Sequence, residues 1–297
     1  MRGVYLTYLN ISEWPKLTQM PLLTYPRLQR LVVNNCSKLR RITIEAPQLY
    51  VLEARDNPLL KTIKGKVPSL SRLDITNSSL EDLSFLEKRD HPVEIKGDSN
   101  KICDLGKSYY NQSQYQLARE YYEQAAEQGN APSFNNLGWL YRNGLGVNQD
   151  YKKAREYFEK GAEKGDAIAL FNLGYLYQYG LRVDQNYVKA IDYYEKSTER
   201  GFGIALVGLG SIYYYGTGVG KNFKKAKEYF EKGAEKGDVD GLNQLGYLYE
   251  EGLGVEKDYN KAREYFEKGA KQGNAASLNK LGWLYRNGLG VEKDYNK

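Results

Sequence analysis

The sequence predicts a mainly α protein, a right-handed α/α superhelical solenoid preceded by a short α/β solenoid. Three observations carry this reading. Glycine recurs at a fixed interval, at Gly138, Gly174, Gly210, Gly246 and Gly282, each time preceded by Leu. A shorter period runs through the N-terminal third, aligning Leu28, Leu31, Val33, Cys36 and Leu39 with Leu49, Leu52, Ala54, Asn57 and Leu60. The 297 residues hold one His and two Cys, too few for a histidine pair, a metal cluster or a disulfide framework. Fixed periods of this kind mark stacked supersecondary units, each unable to bury its apolar face alone.

The shorter period comes first in the chain. A third copy places Leu70, Leu73, Ile75 and Ser78, while Leu6, Leu9, Ile11, Trp14 and Leu17 form a less regular copy upstream of the first. Pro26, Pro47 and Pro68 mark the joints. The spacing L-x-x-L-x-L-x-x-N/C resembles a leucine-rich repeat, which implies one short strand and a return segment per turn. The resemblance also puts Cys36 and Asn57 where a side chain satisfies buried loop backbone, so Cys36 reads as structural. The stretch LEDLSFLEKRDHPVEIKGDSN breaks the period. Residues 1–90 are read as the leucine-rich module, 91–99 as a linker and 100–297 as the array.

The longer unit spells helix, loop, helix. ALFNLGYLYQY (169–179) has apolar residues at helical spacing, and Gly180 supplies a left-handed cap. Asp150, Asn186, Asn222, Asp258 and Asp294 announce the second helix as N-caps. It runs on as YxKAxEYFEK, with Glu156–Lys160, Glu228–Lys232 and Glu264–Lys268 expected as i,i+4 pairs. It stops at Gly165, Gly201, Gly237 and Gly273; Asp166, Asp238 and Asn274 then cap the next helix, and Phe202 breaks that rule. A glycine inside the first helix costs roughly 1 kcal/mol against Ala. Close approach of the second helix, with Ala154, Ala190, Ala226 and Ala262 facing, is the expected reason.

The pattern A-x-x-x-LG-x-LY-x-x-G-x-GV-x-x-DY-x-KA-x-x-YF-E-K-x-A-x-x-G resembles the Sel-one-like repeat (SLR), a tetratricopeptide-like α/α repeat, over about two thirds of the chain. The copy from Leu105 lacks the G-x-GV insertion and resembles an ordinary tetratricopeptide repeat. The resemblance implies a scaffold or adaptor that assembles proteins. The paired cysteines of exported relatives are missing from the array. The last copy stops at DYNK, where its second helix should start, so the chain is expected to be truncated relative to its gene.

Charge narrows the partners. Lys and Arg number 43 against 37 Asp and Glu, for a net +6, and residues 27–72 alone carry +7. The array is nearly balanced, so nucleic acid is disfavoured as a partner. No stretch has the apolar length to span a bilayer, and no secretory signal is visible. A cytoplasmic location, or delivery without a classical signal peptide, is the expectation. Gly-Leu-Gly loops such as 144–146 lack the Lys-Ser/Thr and the strand of a phosphate cradle. No catalytic, cofactor or metal residue is assigned.

Two interaction surfaces are expected. If the array packs like its tetratricopeptide relatives, the first helices line a concave face. That face would present Asn135, Asn136, Trp139 and Arg142, then Phe171, Asn172, Tyr175 and Tyr179, then Tyr214. Asn243, Tyr247 and Glu250 follow, and Asn279, Trp283 and Arg286 end it. Amides and aromatics of this kind suit an extended peptide. The strand face of the leucine-rich module would present Arg30, Glu53, Arg55, Arg72 and Asp74, a mixed-charge surface. The function expected is a non-enzymatic scaffold or adaptor for protein or peptide partners. The alternatives are a targeting arm of a longer enzyme or signalling protein, and a host-directed effector.

Overall fold

The first three turns of the N-terminal coil each lay down two strands, one on either side of a leucine core. Strands β1 (Tyr8–Asn10), β3 (Arg30–Val32), β5 (Val51–Glu53), β7 (Arg72–Asp74) and β8 (Glu94–Lys96) form a five-stranded parallel sheet in that order. Strands β2 (Leu23–Thr24), β4 (Arg41–Glu45) and β6 (Thr62–Lys66) form a second, three-stranded one. The return segment of the first three turns is therefore itself a strand, where an α/β coil would use a helix; in the fourth it is a 3-10 turn over Ser84–Leu86. The reason is visible in RITIE: Ile42 and Ile44 are buried and Arg41 and Glu45 exposed, a period of two that no helix can satisfy. The computed structural model describes residues 6–20, 22–87 and 89–291.

The leucine columns fill the coil, with Leu28, Leu31, Leu39, Leu49, Leu52, Leu60, Leu70 and Leu73 fully buried. Asn57 is also fully buried. Its Oδ1 accepts from the Cys36 backbone N–H at 2.9 Å, and its Nδ2 donates to the Val33 carbonyl at 2.6 Å. One turn on, the Ser78 hydroxyl accepts from the Asn57 N–H at 3.2 Å and donates to the Ala54 carbonyl. Just before this column Asn35, Asp56 and Asn77 take left-handed backbone, with φ of 55°, 57° and 56°. Asn and Asp tolerate that region best among residues with a side chain.

Residues 91–99, expected as a linker, contain β8, which pairs with β7 in register Arg72↔Glu94 to Asp74↔Lys96. Val93 and Ile95 are buried in the same core as the coil and the first helices. The stretch is part of the sheet because its alternation of buried Val93 and Ile95 with exposed Glu94 and Lys96 matches a strand. Helices α1 (Ser99–Asn111) and α2 (Tyr115–Glu127) then close the sheet. From α2, Gln124 accepts from the Ile95 N–H and donates to the Val93 carbonyl, at 2.9 and 3.0 Å. Gln128 donates to the Ile95 carbonyl, and the Tyr121 hydroxyl accepts from the Val93 N–H at 3.1 Å. Two glutamines one helical turn apart thus occupy the hydrogen-bonding groups of an otherwise bare sheet edge.

The chain divides into two compact units, Met1–Tyr157 and Phe158–Lys297. The first holds the coil with α1, α2 and α3 (Ala131–Asn143). Helix α4 (Tyr151–Glu163) carries the boundary. The second holds α5 (Ala167–Tyr179), α6 (Tyr187–Glu199), α7 (Ile204–Tyr215), α8 (Phe223–Glu235), α9 (Val239–Glu251), α10 (Tyr259–Lys271) and α11 (Ala275–Asn287).

Capping follows the sequence closely in the second unit. The side chains of Asp166, Asn186, Asn222, Asp238, Asp258 and Asn274 each accept from a first-turn N–H. Helix α7 has no side-chain cap; Phe202, in the capping column, instead packs edge-on against Phe171 at 5.3 Å. Asp294 lies outside the described residues, as does the whole DYNK end. Gly174 has its reason in close packing, but the neighbour differs from the expected alanine. A Cβ there would sit 2.7 Å from the Tyr194 ring, with the Ala190 carbonyl beyond it at 3.2 Å. Phe230 and Phe266 stand likewise over Gly210 and Gly246, so the aromatic position one helical turn after each alanine fills the notch.

The fixed tyrosine columns also pack. Tyr177 stacks on Tyr193, Tyr213 on Tyr229 and Tyr249 on Tyr265, with centroids 5.7, 5.7 and 5.6 Å apart. Lysines close these stacks from outside. Lys232 and Lys268, expected to pair with Glu228 and Glu264, lie over Tyr229 and Tyr265 at 5.8 and 5.3 Å. The i,i+4 ion pairs that form include Arg119–Glu123 at 3.8 Å, Lys196–Asp192 at 2.8 Å, Lys227–Glu231 at 2.8 Å and Arg263–Glu267 at 3.4 Å.

Candidate partner-binding surfaces

The first helices of each repeat carry one face of residues that the core leaves uncovered. In the first unit this face centres on Trp139, 38% exposed, whose indole N–H donates to the Tyr110 hydroxyl at 3.1 Å. The Arg142 guanidinium lies over the same ring at 5.3 Å. Asn136 is half-buried and donates to the Cys103 thiol, whereas Asn135 is buried. Tyr110 went unnoticed in the sequence because the face was read from the second copy onward. It stands one helical turn after Gly106, the position that Arg142 holds after Gly138.

In the second unit the face is aromatic. Tyr175 and Tyr179 lie 4.5 Å apart, and Tyr179 is 54% exposed. Tyr215 is 59% exposed and meets Tyr214 edge-on at 4.9 Å. Lys280 bridges the next two rings, 4.5 Å from Tyr247 and 5.3 Å from Trp283. Partial burial raises the hydroxyl pKa of Tyr179 and Tyr214, and neighbouring tyrosines reinforce it. These hydroxyls are therefore protonated donors at neutral pH. Asn279 and Arg286 are exposed on α11.

Four residues expected on this face are withdrawn from it. Asn172, Asn243 and Glu250 are buried, and Phe171 packs against Tyr194 and Phe202. Asn243 accepts from the Ser277 hydroxyl at 3.2 Å. Glu250 holds the Lys280 ammonium at 3.0 Å while only 3% of its side chain is exposed. Like Asn135, these side chains are taken up by packing within the array instead of facing a partner. Their burial comes from neighbouring elements, and no period within a single helix reveals that.

On the strand face of the coil, Arg30 and Arg55 are neutralised by Glu53 and Asp74, and Arg72 by Glu94. Arg30 and Arg55 both bind Glu53, at 2.5 and 2.9 Å, and Arg55 also reaches Asp74 at 3.7 Å. Arg72 pairs with Glu94 at 3.0 Å. Glu94 was missed because its stretch read as a linker. Among the described residues, no group of His, Cys, Asp and Glu is placed to hold a metal ion, and no helix is long and apolar enough to cross a membrane. Cys36 and Cys103 are both buried.

Comparison with known proteins gives a consistent picture. The family model described as Sel1 repeat matches residues 103–130, 135–166, 167–202, 203–238, 239–274 and 275–297. A Sel1 repeat protein from Oxalobacter formigenes is 32% identical with a TM-score of 0.62, covering 67% of this chain and 83% of its own. The protective antigen c5321 of uropathogenic Escherichia coli, which displays an SLR fold, is 33% identical with a TM-score of 0.59. That match covers 67% of this chain and 43% of the antigen. No curated protein matches the chain.

Proposed function

The chain belongs to the Sel1 repeat family, and from that premise we propose that the first-helix face of its second unit binds an extended segment of a partner protein. Sel1 repeat proteins generally act as protein–protein interaction scaffolds, and the fold is typically non-catalytic. The observation that carries the finer reading is the set of exposed aromatics on that face: Tyr179, Tyr215 and Trp283. Rings held by their neighbours lose little rotamer freedom when a ligand covers them, so their apolar area converts efficiently into affinity. The protonated tyrosine hydroxyls supply directional bonds to a peptide backbone. In the first unit, Trp139 with its Tyr110 partner offers an anchor of the same chemistry. The chain acts by holding a partner, not by transforming it.

A peptide-display selection on the full chain tests this. A variant carrying Tyr179→Ala, Tyr215→Ala and Trp283→Ala runs in parallel, its folding checked by circular dichroism. The expected result is a recurring motif captured by the parent and lost by the variant. Equal capture by both, or none by either, overturns the assignment.

A further inference from the structure

The two sheets of the coil carry charge in different ways. On the five-stranded sheet Arg30, Arg55 and Arg72 are all paired with carboxylates. On the three-stranded sheet the outward positions are Arg41, Thr43 and Glu45 of β4 and Thr62, Lys64 and Lys66 of β6. Arg40 and Lys61 stand immediately before them, and all five cations are exposed. Lys61 binds Glu81 at 3.1 Å. Among the described residues, Arg40, Arg41, Lys64 and Lys66 have no carboxylate within 4.0 Å. A groove of about 540 Å³ lies among Thr18, Gln19, Arg40, Arg41, Lys61, Thr62 and Glu81, the last neutralising Lys61.

We propose that this face binds an acidic, extended segment of a partner protein. Lys61 is held by Glu81 and Lys64 lies in the field of Asp82, but Arg40, Arg41 and Lys66 have no ion pair to give up among the described residues, so carboxylates add charge-assisted hydrogen bonds there without breaking existing pairs. Lys64 and Lys66 stand at alternate positions of one strand, about 6.6 Å apart, the same repeat as alternate side chains of an extended peptide. Arg41 stands opposite Thr62 on the neighbouring turn and Arg40 beside Lys61, so both lie diagonal to Lys64 and offer planar forks to further carboxylates along the same segment. Thr18, Gln19 and Thr62 provide hydrogen-bonding groups for the peptide main chain. Nucleic acid fits this face less well. Neither β4 nor β6 carries an aromatic ring on which a base could stack.

The test is fluorescence anisotropy with the full chain and a labelled peptide bearing Glu at alternate positions, against its Gln counterpart. A single-stranded oligonucleotide and phosphatidylserine vesicles are the further probes. The variant Arg40→Gln/Arg41→Gln/Lys64→Gln is compared with a charge-matched control, Arg30→Gln/Arg72→Gln/Lys96→Gln, on the other sheet. We expect the Glu peptide alone to bind, salt to weaken it, the variant to lose about tenfold and the control less than about twofold. Should the triple variant melt early, Lys64→Glu alone is expected to weaken binding in the same direction. No binding at low salt, equal losses in variant and control, or tighter binding of the oligonucleotide or vesicles through these residues overturns the proposal.

Discussion

In the coil, the backbone of one turn is satisfied by the next turn, a full repeat away in sequence, whereas each helix of the array satisfies its own and leaves only its ends to side chains. The ladders β1-β3-β5-β7-β8 and β2-β4-β6 are wholly inter-turn, and even the loops between them depend on Asn57 and Ser78 reaching into the preceding turn. The array needs only a cap per helix, and α7 forms without a side-chain one. The difference teaches where each architecture is vulnerable. A coil fails when one buried polar link is cut, because two backbone groups are stranded together. An array loses a fraction of one helix end, or a packing contact between two helices.

The sharpest test of this contrast is Asn57→Ala. It strands the Cys36 N–H and the Val33 carbonyl in a dry core, at roughly 1–3 kcal/mol for each unsatisfied group, so a loss of about 3 kcal/mol is expected. Urea unfolding reads the total, and faster amide exchange at Cys36 localises it. A loss near 1 kcal/mol would mean that the coil is no more brittle than the array.

The array has one comparable weakness. Lys280→Met leaves Glu250 buried without its cation, and with Lys280 partly exposed a loss of about 2 kcal/mol is expected. The double variant with Glu250→Met should recover most of it in thermal melts. Failure to recover would show that the lysine stem, not its charge, carries the effect.

Packing comes next. Gly246→Ala drives a methyl into the Phe266 ring, which outweighs the helix-propensity gain and leaves a net loss of about 1 kcal/mol. Gly210→Ala, whose methyl would meet the Phe230 ring, should lose a similar amount, and urea midpoints of the two variants check both.

The smallest effect concerns the caps. Burial raises the Asp166 pKa, outweighing the hydrogen bonds from the Ala169 and Ile168 backbones that lower it. A carboxyl raised in the folded state binds more protons there than in the unfolded chain. Its contribution to stability therefore falls as pH rises through the range just above the ordinary carboxylate value. Asp166→Asn keeps the cap and should flatten that part of the stability–pH curve. An unchanged curve would assign the slope to other carboxylates.

Much of the fold was legible because its determinants are local and repeated. The leucine columns, the N-caps and the left-handed glycines all announce themselves within one period. Less of the candidate face was legible. Trp139, Tyr179 and Trp283 are exposed as spacing suggests, yet Asn172, Asn243 and Glu250 stand on first helices too and are covered. Helical position assigns a residue to a side of its helix but says nothing of how deep the next helix sits. The strand face shows the same limit: its arginines were visible as charges, and their pairing with Glu53, Asp74 and Glu94 was not.

By itself, the sequence determined that this is a repeat protein of two periods, where its helices start and stop, and which residues form its core, because periodicity and capping act within a few residues. Only the tertiary structure decided that 94–96 closes a sheet, that aromatic rings rather than alanines fill the glycine notches, and which charges remain unpaired. Those outcomes depend on parallel register between turns and on side chains that meet from distant points along the chain, where no local spacing rule reaches.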